Sequence, residues 1–286
     1  MTTDVTFTDL TGTELDDARA IERALRGCGR LGVAFSGGVD SAVLLAVAVR
    51  ALGPEQVVAL LAVSPSLARD ELAIARAVAA QAGARLIEFE TFEGERADYR
   101  ANGADRCYHC KTELFERIDD HIVAEQGLDA VAYGENADDA VAPDRPGARA
   151  ATEHAVLRPL AEAGVTKDRV RALARALGLS VADKPAAPCL ASRIPHGQAV
   201  TPEKLREIDE AEHALRVLGF SDARVRHHGD IARVEVPLAE LSRFADDGVR
   251  QQALRAIKAA GFGHVTVDLA GLQSGLFTLQ VVGKRG

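Results

Sequence analysis

Residues 33–45 read Val33-Ala34-Phe35-Ser36-Gly37-Gly38-Val39-Asp40-Ser41-Ala42-Val43-Leu44-Leu45, and their order decides the fold. The first apolar run predicts a short buried strand, the Ser-Gly-Gly-Val-Asp-Ser stretch a turn, and the second apolar run a helix. Strand, glycine turn and helix in that order aim main-chain N–H groups and a helix N-terminus at one anion. Gly37 and Gly38 let the main chain approach closely, Ser36 and Ser41 add hydroxyl donors, and Asp40 offers a carboxylate for a Mg2+ that neutralises the pyrophosphate of ATP. No Gly-Lys-Ser/Thr follows, so the loop is not a Walker A loop. A lone Gly-Gly is more often a plain turn with Ser or Asp capping a helix. Here the strand before and the helix after favour the phosphate loop.

Working outward, 14–26 (ELDDARAIERALR) has helical spacing, and SAVLLAVAVRALG continues as a helix with a glycine stop. QVVALLAV, ARLIEFE and LDAVAYG read as strands, with RDELAIARAVAAQAG and KTELFERIDDHIVAEQG as the helices between them. This alternation predicts an α/β fold, a doubly wound parallel sheet with crossover helices that binds a nucleotide at the C-terminal edge of its strands. Residues 137–160, rich in Pro, Gly, Asp and Arg, read as a long functional loop with one short helix, before the helix KDRVRALARALGL. From about 200 the order changes: TPEKLREIDEAEHALRVLG predicts a helix, ARVRHHG and IARVEVP two strands paired around a Gly-Asp turn, and the tail a helix and two strands. The expected organisation is a nucleotide-binding domain over 1–198 and a smaller α+β domain over 199–286.

The 286 residues include 42 acidic and 34 basic side chains, a formal charge of -8, which repels an extended nucleic-acid backbone and favours a small substrate. No apolar run approaches the roughly 20 residues of a membrane span, and MTTDVTFTDL lacks the pattern of a secretory signal, so no membrane partner and a cytoplasmic location are expected. In that compartment the four cysteines point to metal binding or sulfur chemistry rather than disulfides.

Cys107 and Cys110 lie in ADRCYHCK with metal-ligand spacing, and Cys189 lies in DKPAAPCLASRIPHG. A structural zinc site would need a fourth ligand, whereas three thiolates suit an iron-sulfur cluster whose open iron could carry a sulfide. Alternatively, Cys189 alone is the nucleophile. His109, read as a loop residue, could be a ligand or an ordinary surface histidine, and Cys28, placed on the first helix, a buried structural thiol. After a strand end, Asn136, Asp138 and Asp139 could orient nucleotide or Mg2+, or simply make a turn and cap, and Arg145 could meet phosphate. Ser192 with Arg193, and Arg224 with Arg226 at alternate strand positions, could receive a substrate phosphate, the alternative being a solvated basic strand edge. Glu212 is either a metal or phosphate-site residue or an exposed helix carboxylate.

SGGVDS resembles the signature of PP-loop ATP pyrophosphatases, which implies cleavage of ATP between its α and β phosphates and transfer of AMP to a carbonyl oxygen. That leaves the nucleophile open among ammonia, an amine and sulfur. SGGVDSA, RCYHCK, GENADD, DRPG, RPL, DKPAAPCLASRIPHG, RVRHHGD and VDLAGLQSG together resemble the LarE family of sulfur transferases over nearly the whole chain. The resemblance implies adenylation of pyridinium-3,5-dicarboxylic acid mononucleotide and its conversion to thiocarboxylates for a nickel-pincer nucleotide cofactor. Some members of that family sacrifice one cysteine, which becomes dehydroalanine; others hold a 4Fe-4S cluster on three cysteines. Cys107, Cys110 and Cys189 match the second kind, and Cys189 stands where the first kind has its sacrificial cysteine. A homo-oligomer larger than a dimer, such as a hexamer, is also implied, with the C-terminal domain contributing to it. The competing readings are a tRNA thiolase, an ammonia-dependent synthetase with this loop, and a non-catalytic nucleotide-binding sulfur carrier.

Overall fold

The computed structural model describes residues 7–141 and 146–272, so Arg145 and the last strand read from the sequence lie outside the described residues. The chain divides into two compact units. One is built from the described residues up to Ser64 with Glu71–Glu93 and Cys107–Ala187; the other takes Pro65–Asp70, Gly94–Arg106 and the described residues from Pro188 onward.

The first unit is a four-stranded parallel sheet of β1 (Leu31–Ala34), β2 (Val57–Val63), β3 (Arg85–Glu90) and β4 (Ala130–Tyr133), in the order β3-β2-β1-β4. Val57 to Leu61 are buried without alternation, the pattern of a strand covered on both faces. Helix Val39–Leu52 is buried nearly all round, from Ser41 through Ala48, and so belongs to the core rather than to its surface. Helices Gly12–Ala24 and Lys167–Ala176 pack against it. The chain leaves β1 towards β2 and β3 and later adds β4 on the other side of β1, so the winding reverses between β1 and β4. At such a reversal the loops after the two strands diverge and leave a crevice at their C-terminal ends. The α/β class expected from the alternation is the one observed.

Two local readings change. The stretch 137–160 holds three short helices, Ala137–Val141, Pro146–Glu153 and Pro159–Glu162, instead of one. Proline in a first helical turn loses no hydrogen bond there and fits the helical φ, so Pro146 and Pro159 start helices. The helix read from Lys111 already begins at Arg106 and ends in one π turn at Ile118–Ile122 before Val123–Gln126.

The second unit contains helix Pro202–Val217 and a three-stranded sheet in the order β5 (Arg224–His228), β6 (Ile231–Glu235), β7 (His264–Val267). β5 and β6 are antiparallel around Gly229-Asp230, with Gly229 at φ +68, the backbone a tight hairpin turn requires. Helix Asp247–Ala260 is the crossover that brings β7 parallel to β6. Asp246 caps that helix by accepting from the Val249 N–H at 2.9 Å. Ile208, Leu215, Val225, Val234, Ile257 and Phe262 form its buried interior. Among the described residues no helix is long and apolar enough to cross a membrane.

Candidate active site

The Ser36–Ser41 loop leaves β1 and enters helix Val39–Leu52 at the crevice. Gly37 has φ +70, and a Cβ there would stand 2.8 Å from the Cβ of Ala75, so angle and space both demand glycine. Gly38 occupies the N-cap position of the helix and no side chain caps it, which leaves that end to an anion. Ser41 Oγ donates to the Gly38 carbonyl at 3.0 Å and lies 3.2 Å from Ser36 Oγ, tying the loop to the helix start. The residues expected to line a phosphate loop are therefore together in one turn.

From the other side of the crevice, the loop after β4 joins it. Asn136 Nδ2 donates to Asp40 Oδ1 at 3.0 Å and to Asp139 Oδ2 at 2.9 Å, while its Oδ1 accepts from the Asp138 and Asp139 N–H groups, each at 3.0 Å. Asn136 thus caps Ala137–Val141 and links Asp139 to Asp40; the cap and the site are one residue. Lys167 Nζ forms an ion pair with Asp40 Oδ2, and the Lys167 N–H donates to Asp138 Oδ2 at 2.7 Å. Lys167 went unnoticed in the sequence, where Thr-Lys-Asp reads only as a helix start. Gly134 was also missed: a Cβ on it would lie 2.6 Å from the Ser41 nitrogen and 2.8 Å from the Asp40 carbonyl carbon. Arg158, in the Arg-Pro-Leu motif, stands 3.6 Å from the buried Glu135 carboxylate of the Gly-Glu-Asn motif. The open helix end and the Lys167 ammonium favour phosphate oxygens, and the Asp40 and Asp139 carboxylates suit a hard divalent cation such as Mg2+.

In the second unit, exposed Cys189 immediately precedes the turn Leu190–Arg193. Arg193 and Glu212 form a buried two-pronged pair, Nε to Oε1 at 2.8 Å and Nη2 to Oε2 at 3.0 Å, with side chains 3% and 0% exposed. Glu212 also accepts from the Val225 N–H at 2.9 Å, so it is no exposed helix carboxylate. Arg193 Nη1 reaches the carbonyls of Pro188 at 2.6 Å and Cys189 at 3.2 Å and Ser192 Oγ at 2.8 Å. Arg226 makes the same two-pronged pair with Glu235, at 3.0 and 2.9 Å, and its Nη1 donates to the Ser192 carbonyl at 3.1 Å. Arg224, beside Asp222, is buried as well. Arg193, Arg224 and Arg226 are thus buried and held in ion pairs rather than lying on a solvated strand edge, and Ser192 is tied to Arg193 and Arg226 by hydrogen bonds. One further cation joins the row: Arg233, the cross-strand neighbour of Arg226, donates from Nε to His228 Nε2 at 3.3 Å.

Cys107 is exposed and Cys110 partly buried, both near the start of Arg106–Arg117, where a spacing of three puts them on one face. His109 sits on that helix and not in a loop. Cys28 follows the first helix instead of lying on it, and burial pushes its thiol up from the ordinary value. Among the described residues no three His, Cys, Asp or Glu side chains stand close enough to hold a metal ion.

A parallel sheet whose reversal point carries an uncapped Ser-Gly-Gly-Val-Asp-Ser helix start defines a PP-loop ATP pyrophosphatase. The family model described as asparagine synthase, built on that domain, matches residues 18–233. An uncharacterised protein of Synechocystis sp. is 41% identical over 85% of this chain and 90% of its own length. The pyridinium-3,5-bisthiocarboxylic acid mononucleotide synthase of Lactiplantibacillus plantarum is 36% identical over 88% of this chain and 90% of its own. An uncharacterised protein of Methanocaldococcus jannaschii is 29% identical over 59% of this chain and 64% of its own. The chain belongs to the LarE family of ATP-dependent, adenylating sulfur transferases.

Proposed function

We propose that this chain adenylates the carboxylates of pyridinium-3,5-dicarboxylic acid mononucleotide and converts them to thiocarboxylates for a nickel-pincer nucleotide cofactor. The observation that carries the reading is an uncapped phosphate loop wired through Asp40 to Asn136, Asp139 and Lys167, in a chain similar along most of its length to the synthase of L. plantarum.

The unit bearing the loop performs adenylation. ATP lies along Ser36–Ser41 with its phosphates at the open helix end, Lys167 moves from Asp40 to phosphate oxygens, and Asp40 with Asp139 would hold a Mg2+ that offsets the phosphate charge. A substrate carboxylate oxygen attacks the α-phosphorus, the bond to the β-phosphate oxygen breaks and pyrophosphate leaves. The acyl adenylate now has a good leaving group on a carbon that was a poor electrophile. The other unit holds the substrate phosphate with Ser192, Arg193, Arg224 and Arg226, and Glu212 and Glu235 keep these guanidinium groups in place. Sulfur reaches the activated carbon through the Cys189 position, and AMP departs with the bonding electrons of its carbon–oxygen bond. Cys107, Cys110 and Cys189 match an iron-sulfur cluster in donor type, and each is at least partly exposed. A 4Fe-4S cluster on these thiols would supply a sulfide at its one iron without a protein ligand.

Replacing Asp40 with Asn lowers pyrophosphate release roughly 100-fold with the fold intact, while Cys189→Ala still releases pyrophosphate and yields no thiocarboxylate. Pyrophosphate release at the wild-type rate in Asp40→Asn would overturn the assignment. The sulfur source is read from anaerobically purified protein: about four irons per chain and an unchanged mass after turnover mark the cluster. A mass loss of about 34 Da without iron marks conversion of Cys189 to dehydroalanine.

A further inference from the structure

Asn102 is fully buried and stands in the left-handed backbone region at φ +55; among the described residues only Ala155 shares that geometry without being glycine. Asparagine tolerates this conformation better than most residues, yet a buried one persists there only when its surroundings fix it. The surroundings here are one stretch of chain. Asn102 Nδ2 donates to the carbonyls of Ile194 at 3.2 Å, Pro195 at 2.9 Å and Gln198 at 3.0 Å. Its own main-chain oxygen accepts from the Gly197 N–H at 3.1 Å and lies 3.2 Å from His196 Nδ1. Its Oδ1 accepts from Arg106 Nη1, which donates to the Ala191 carbonyl at 3.0 Å.

The stretch after Cys189 is therefore gripped at both ends by buried polar groups. Arg193, locked on Glu212, holds the carbonyls of Pro188 and Cys189; Asn102 with Arg106 holds those of Ala191, Ile194, Pro195 and Gln198. None of the Asn102 contacts involves the phosphate loop, and a shape-only role would need no amide that binds three carbonyls at once. We propose that Asn102 is a positioning residue for sulfur delivery, fixing the Cys189–Gln198 stretch so that the Cys189 thiol is presented in one place. This rests on the reading of Cys189 as the position through which sulfur passes.

The test compares wild type with Asn102→Gly, which adopts the same backbone angle without the amide, and Asn102→Asp, which keeps the angle and the acceptor for Arg106 but cannot donate to the three carbonyls. Two quantities are measured: thiocarboxylate formed per AMP released, and the alkylation rate of Cys189 relative to Cys107 by peptide mass spectrometry. Both variants should release AMP within roughly twofold of wild type, form roughly 10- to 100-fold less thiocarboxylate per AMP, and alkylate Cys189 faster with Cys107 unchanged. Folded variants with an unchanged product ratio and unchanged Cys189 alkylation would overturn the proposal. If Cys189→Ala still makes thiocarboxylate, the sulfur reading fails instead, and the alkylation rates continue to judge Asn102 by themselves.

Discussion

At the level of single residues, His228 shows what the arginine-rich face of the second sheet costs. Burial first, then Arg233, His227 and Arg226, lower its pKa from the ordinary 6.5, with Glu235 acting weakly against them. Because the unfolded chain takes up this proton at a higher pH than the folded one, the unfolded state binds more protons as pH falls through 6.5, and stability drops in that window. Above it the group is neutral in both states and contributes no slope. We expect His228→Gln to flatten the decline of the thermal midpoint between about pH 7 and 5, measured by calorimetry against wild type. The residues legible in the sequence were those whose partners are adjacent: Ser36, Gly37, Gly38 and Ser41 sit in one turn, so spacing alone brought them together. Lys167 meets Asp40 across 127 positions, Asn102 grips carbonyls more than 90 positions away, and no local pattern announces either. Glu212 was recognised, but not its burial, since a helix carboxylate is usually solvated and its buried partners, Arg193 and the Val225 N–H, are not sequence neighbours that a local pattern reveals.

At the level of elements, the end of β4 presses on the start of helix Val39–Leu52 at Gly134. The atoms a Cβ would meet are main-chain atoms of Asp40 and Ser41, which cannot swing aside as a side-chain tip would. Gly134→Ala should lower stability by about 1–3 kcal/mol and, by displacing the loop, reduce pyrophosphate release more than 10-fold. Gly94→Ala, which meets open space, serves as the control and should leave the denaturation midpoint and the rate unchanged. Elements were legible where periodicity and punctuation agreed, as for β1 to β4 and for the β5–β6 hairpin around Gly229-Asp230. The reading failed where punctuation has two meanings. Pro146 and Pro159 look like loop residues and instead begin helices, and the Arg-Cys-Tyr-His-Cys stretch begins one although it holds few strong helix formers.

For the whole molecule, the charge of -8 bears on the choice among enzymes that share this loop. A tRNA thiolase must hold a polyanion, and the self-repulsion of two anionic bodies opposes that without a dedicated basic module. Saturating tRNA should therefore alter neither pyrophosphate release nor thiocarboxylate yield by more than roughly twofold near 0.15 M salt, and stimulation by tRNA would move the assignment to that class.

The path of the backbone has an evolutionary corollary. The chain passes from one unit to the other at 64/65, 70/71, 93/94, 106/107 and 187/188. A module attached by one linker can be lost, duplicated or traded by recombination, since a single breakpoint releases it whole. Here no single breakpoint frees either unit, because Pro65–Asp70 and Gly94–Arg106 are encoded inside the stretch that builds the nucleotide-binding half. The turn bearing Cys189 and the loop bearing Asp40 are therefore inherited as one indivisible gene segment, and a lineage that changes the residue at position 189 must do so by substitution in place rather than by grafting a new partner.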